Sequence, residues 1–112
     1  MEFLIPILHS NEELGFKDNL DLDKLGEKLI EEAKEVQSAI NCFLECDDVG
    51  FKSKNIGDIV EEAMDAIQIG IGILNFCMKE DGQITKERMK AHLPKLLKRG
   101  WLVENVLRVE EF

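Results

Sequence analysis

Two apolar helical runs in this sequence carry carboxylates where a merely solubilising side chain would be badly placed. The first is LIEEAKEVQSAI at residues 29–40, and the second is IVEEAMDAI at residues 59–67. Glu32 and Glu35 stand three residues apart in the first, and Glu62 and Asp65 do the same in the second. One further carboxylate, Glu31 or Glu61, precedes each pair. Residues three apart share one helix face. Glu32 follows Leu29 by three residues and precedes Val36 by four, so it borders the apolar stripe. Glu62 holds a matching register against Ile59 and Ala66. Two such helices side by side bring four carboxylates into one small volume, where like charges and partial desolvation oppose ionisation. A divalent cation relieves that repulsion. An all-oxygen set suits Mg²⁺, with Mn²⁺ as a substitute, over zinc or copper. The expected ligands are Glu32, Glu35, Glu62 and Asp65. A single pair would be an ordinary solvated face; two pairs in the same register argue for a site.

The rest of the chain supports an all-α reading. The first long helix is expected from Asp21–Asp23, which cap it, to about Cys46. Its stripe is Leu22, Leu25, Leu29, Ala33, Val36, Ile40 and Phe43. DDVGFKSK, residues 47–54, reads as a polar turn, and Asn55 as the N-cap of a second helix over Ile56–Met78. Its core face is Ile56, Ile59, Val60, Ala63, Ile67, Ile71 and Leu74. AIQIGIGILNFCM alternates enough to suggest a strand, but no turn signal separates it from VEEAMDA, so helix is preferred. The run is too short for a bilayer, which takes about 20 apolar residues. Being apolar nearly all round, it suggests a subunit interface, with Gly70 and Gly72 allowing close helix contact.

Residues 79–83 read as a turn, and Thr85 as the N-cap of a third helix towards Arg99. Pro94 kinks or restarts that helix, and Gly100 ends it. In the N-terminal extension, residues 1–20, Pro6 forbids a central strand position, and Ser10 with Glu13 resembles a capping box over Asn11–Phe16. The tail, residues 102–112, reads as either a short strand or a short helix. The whole, residues 1–112, is expected to form a single helical domain.

Charge narrows the partners. Twenty-three acids against fourteen bases give a net charge of -9, which argues against nucleic acid and against anionic membrane surfaces. An acidic protein handling an anionic substrate needs metal ions to mediate. Cys42, Cys46 and Cys77 have no metal-finger spacing, and Cys42 and Cys46, one helical turn apart, read as buried free thiols in a reducing, cytoplasmic setting. MEFLIPILHS has no basic region before its apolar run and no small-residue cleavage site, so it is not read as a signal peptide.

Taken together, EE-x-x-E at Glu31–Glu35, E-x-x-D at Glu62–Asp65 and the basic KLLKRGW at Lys95–Trp101 resemble the MazG-like all-α nucleoside triphosphate pyrophosphatases. The likeness covers about residues 22–101, and it does not reach residues 1–20 or the tail beyond Trp101. It implies an oligomeric helical bundle, a homo-dimer or homo-tetramer, with two carboxylate-bearing helices and a basic third helix. It implies Mg²⁺ held by the four carboxylates and cleavage between the α- and β-phosphates of a nucleoside triphosphate. Glu31 or Glu35 is then the candidate proton acceptor. Lys95, Lys98 and Arg99, with Lys79 as a weaker candidate, are positioned to hold the leaving pyrophosphate. A helix C-terminus that simply favours cations explains the same four residues equally well. Trp101 either stacks on a base or packs on the bundle. Asn75, polar in an apolar run, either contacts substrate or a partner subunit, or is a satisfied buried amide.

Two metal alternatives fail on spacing. Di-iron bundles use E-x-x-H, and neither His9 nor His92 has a glutamate three residues before it. Calcium-loop resemblances at Asp21–Glu32 and around Asp81 place Leu25, or Cys77, Lys79 and Arg88, where oxygen ligands belong. The remaining alternative is a non-enzymatic helical partner-binding module with acidic surface patches.

Overall fold

The computed structural model describes residues 4–8 and 21–108, with backbone alone over 49–53. It contains three helices, α1 (Leu22–Glu45), α2 (Val49–Glu80) and α3 (Gly82–Lys98). No strand occurs among the described residues. The alternating run after Asp65 is helical throughout, because it continues α2 without a break. The expected cap at Ser10 and Glu13, and the turn at Asn11–Phe16, lie outside the described residues.

Each helix end follows from a specific backbone need. Asp21 is the N-cap of α1, and the backbone N–H of Lys24 donates to its Oδ1 at 3.0 Å. At the other end, the four last carbonyls of a helix lack intrahelical donors. Cys42 O is one of these, and it accepts from Asn55 Nδ2 at 3.3 Å. Asn55 was expected to start α2, but α2 begins at Val49 and contains it. The polar stretch expected as a turn over 47–54 shrinks to residues 46–48 between the two helices. Asn55 thus serves a helix terminus, though it is the C-terminus of α1.

A second correction concerns α3. Thr85 was expected as its N-cap, yet Asp81 takes that place, with Ile84 N donating to Asp81 Oδ1 at 3.1 Å. Aspartate is the stronger cap. Thr85 lies one turn inside, buried, and its Oγ1 donates back to Asp81 O at 2.8 Å. The turn expected over 79–83 is therefore reduced to Asp81 alone between α2 and α3. Pro94 lies inside α3 without interrupting it. Its missing N–H forfeits one bond to the carbonyl of Lys90, a residue exposed to solvent. Gly100 ends the helix with φ +93°, a left-handed value that an L side chain strains to adopt. Gly100 N donates to Leu97 O at 3.1 Å and Trp101 N to Leu96 O at 3.2 Å, the paired bonds of a glycine-terminated helix. Residues 101–108 form neither the strand nor the helix considered for the tail.

The chain divides into two compact units, Met1–Cys77 and Met78–Phe112. Within the first, three contacts order α1 against α2. Leu25 Cδ2 lies 3.4 Å from where a Cβ on Gly72 would stand. Glu32 and Glu35 approach Glu62, and Cys42 meets Asn55. As residue numbers rise along α1 they fall along α2, so the two helices run in opposite directions. Leu25 is the fully buried side chain of this pair, 1% exposed, and it lies against α2 at Gly72.

The stripes expected as core are only partly covered. Leu22, Leu29 and Ile40 of α1, and Ile56, Val60, Ile67 and Leu74 of α2, remain exposed. Two helices have one mutual face, and a stripe wider than that face stays in solvent. Cys42 and Cys46 are not buried as expected: Cys42 is exposed and Cys46 half-buried, as is Cys77. Among the described residues, no helix is long and apolar enough to cross a membrane.

Candidate metal centre

Antiparallel pairing of α1 with α2 fixes which carboxylates meet. Glu32, Glu35 and Glu62 each offer a carboxylate oxygen within 4.8 Å of the other two. Glu32 and Glu62 are half-buried, and Glu35 is exposed. Asp65, one turn beyond Glu62, is exposed and does not join that group of three. Its charge nevertheless acts on both Glu32 and Glu62. Glu31 is exposed and contributes to the field at Glu32.

Both half-buried acids resist ionisation. The Glu62 carboxyl is pushed up to about 6, first by its hydrogen bond to Glu35, then by burial, then by the charges of Glu35, Asp65 and Glu32. Glu32 is raised by burial first, then by its hydrogen bond to Glu35 and the charges of Glu35, Asp65 and Glu31. Two carboxylates can hydrogen-bond only when one carries a proton. Glu35 therefore bridges its neighbours at the cost of protonating the cluster. Even so, Oε2 of Glu32 and Oε2 of Glu62 are buried with no hydrogen-bond partner. A buried acceptor without a donor costs about 1–3 kcal/mol, more when charged.

These features fit a hard divalent cation. The donors are all oxygens, two of them lack any partner, and the like charges are already gathered. The three oxygens, all within 4.8 Å of one another, would close up to the shorter spacing that ligands about 2.1 Å from a shared Mg²⁺ require. An exposed acidic surface patch would leave its oxygens to water, whereas these two Oε2 atoms are shielded from it.

The basic candidates belong to the other unit. Lys79 lies in the last turn of α2, and Lys95 and Lys98 lie in the last turn of α3. Arg99 is the C-cap of α3. All four are exposed at helix C-termini, where the helix dipole favours cations. Trp101 is exposed rather than packed, and Asn75 is half-buried.

Two interactions escaped sequence reasoning. One is Asn55 to Cys42 O, described above. The other joins Gln68 Nε2 to the main-chain oxygen of Pro6. Its one signal in the sequence is that Gln68 interrupts an apolar run. No family model, curated protein or solved structure matches this chain.

Proposed function

We propose that the protein is a Mg²⁺-dependent nucleoside triphosphate pyrophosphohydrolase, converting a nucleoside triphosphate and water to the monophosphate and pyrophosphate. The observation that carries this reading is the pair of buried, unpartnered oxygens, Oε2 of Glu32 and Oε2 of Glu62, facing a third carboxylate. The MazG-like pattern of EE-x-x-E and E-x-x-D on paired helices supplies the reaction class.

Glu32, Glu35 and Glu62 would hold the cation, with Asp65 completing the set from the next turn of α2. Bound there, Mg²⁺ supplies charge neutralisation for the triphosphate and acidifies an attacking water. Glu31 is exposed beside Glu32 and free to accept the proton from that water; Glu35 is the second candidate. Lys79, Lys95, Lys98 and Arg99 are the cations that the sequence resemblance assigns to the leaving pyrophosphate, through charge-assisted bonds to its oxygens. An acidic chain with net charge -9 needs both the cation and such a group to accept a polyanion.

The assembly in this reading is a homo-dimer or homo-tetramer. Ile30 and Leu44 on α1 and Val60 on α2 are each more than half exposed, and a second copy covers them. Calorimetric titration tests the metal centre. Mg²⁺ binding to the wild type, lost or strongly weakened in Glu62→Gln, is expected. No heat of binding to the wild type, or equal binding to Glu62→Gln, would favour the partner-binding module instead.

A further inference from the structure

The described N-terminal stretch, residues 4–8, is apolar and in no helix or strand, and a hydrogen bond at Pro6 fastens it to α2. Gln68 donates from Nε2 to the carbonyl oxygen of Pro6. Proline has no N–H to offer and a fixed φ, so the carbonyl is the handle by which this stretch can be held. Gln68 lies three residues beyond Asp65 and six beyond Glu62 on the same helix. Side chains three apart on a helix have Cβ atoms about 5–6 Å apart. The bond therefore pins an apolar segment to the turn of α2 next to Asp65, the acid whose charge acts on both Glu32 and Glu62.

The segment is not spent on covering α2. Ile5 is half-buried, while Leu4, Ile7 and Leu8 are each more than half exposed. An apolar surface beside a site for a highly charged group calls for a ligand with both characters. A nucleoside triphosphate is such a ligand, because its phosphates need the cation while its base offers flat apolar faces. Binding sites of this kind combine mostly apolar walls with a few placed polar groups.

We infer that residues 4–8 form a wall of the nucleobase site, with Ile7 and Leu8 as its apolar surface and Gln68 as the positioning residue that holds it. This inference rests on the pyrophosphohydrolase reading and deepens it. Gln68 acts through Pro6 and touches no reacting atom. The glutamine interrupts the apolar run of α2 because the wall needs an anchor at that turn.

The test compares the full-length wild type with Gln68→Met and Ile7→Ala. Methionine keeps the length and helix preference of glutamine but cannot donate. Ile7 is exposed, so its truncation leaves the packing of α1 on α2 intact. Steady-state rates are measured with a panel of nucleoside triphosphates, and inorganic tripolyphosphate serves as a competing ligand without a base. Loss of the Gln68 bond is expected to raise KM for the best nucleotide about tenfold, with kcat within about twofold. Ile7→Ala is expected to raise KM in the same direction by a smaller factor. Inhibition by tripolyphosphate stays as in the wild type for both. Unchanged KM in both variants overturns the wall, and so does a matching loss of tripolyphosphate inhibition, which marks general loosening. A wild type that hydrolyses none of the panel overturns the enzymatic reading itself. A wild type with turnover but indifferent variants overturns the wall alone.

Discussion

At the scale of single residues, Glu62 carries the clearest physical tension in the molecule. Its carboxyl ordinarily titrates near 4.5 and here is held up to about 6 by Glu35, burial and the surrounding acids. Between those two values the native state binds more protons than the unfolded chain, so stability falls as pH rises. The metal-free protein is therefore expected to be most stable below about pH 4.5 with respect to this group, and to lose that contribution through pH 6. Saturating Mg²⁺ should flatten the trend, because the cation replaces the proton. Urea unfolding across pH 4–7, with and without Mg²⁺, measures both. A metal-free stability that rises over this range would contradict the assignment. By the same reasoning, Glu35→Gln and Asp65→Asn should abolish pyrophosphate release while leaving the apo fold intact or slightly stabilised, since each removes a repelling charge. Product assays beside thermal melts decide this, and near wild-type turnover in either variant would exclude that residue from the site. Spacing alone put the four acids forward as candidates. What spacing could not tell was that Glu32, Glu35 and Glu62 draw together while Asp65 stands outside the three. That distinction depends on how far α2 is rotated against α1.

At the scale of elements, the contact of Leu25 with Gly72 sets that rotation. Leu25→Ala deletes the side chain most fully buried between α1 and α2, and such truncations cost about 2–5 kcal/mol. In a small domain that loss should lower the urea midpoint severely and weaken Mg²⁺ binding with it. Changing exposed Leu22 to Ala should cost far less, and equal effects would contradict the packing described. α1 was readable to within a residue or two, since the expected caps, Asp21–Asp23, include the observed one and the stripe starts at once. The starts of α2 and α3 were not. Asn55 and Thr85 are both good capping residues, and local sequence favoured them. The outcome turned on partners: a carbonyl of Cys42 waiting at the end of α1 for Asn55, and a stronger cap at Asp81 for α3. Local preference gives way where a tertiary partner or a better neighbour exists.

At the scale of the whole molecule, we propose that a second copy covers the apolar faces that α1 and α2 leave exposed. Sedimentation is expected to give an assembly of two or four chains. Ile30→Asp or Leu44→Asp, at positions more than half exposed in one chain, should shift it towards monomer. A monomeric wild type with full activity would remove oligomerisation from the account. The all-α class was visible in the periodicity, but the number of chains was not, because an apolar stripe does not say which copy covers it. Cys42, expected to be buried, shows the same limit: its exposure depends on which side of α1 faces α2. We propose that the carboxylate centre would hold Mg²⁺ for reaction with a triphosphate. Phosphorus NMR of the wild-type protein with a panel of nucleoside triphosphates tests it most directly. Monophosphate and pyrophosphate in equal amounts, formed with Mg²⁺ and absent without it, is the predicted result. Diphosphate with inorganic phosphate, or no reaction with any nucleotide in saturating Mg²⁺, would contradict it.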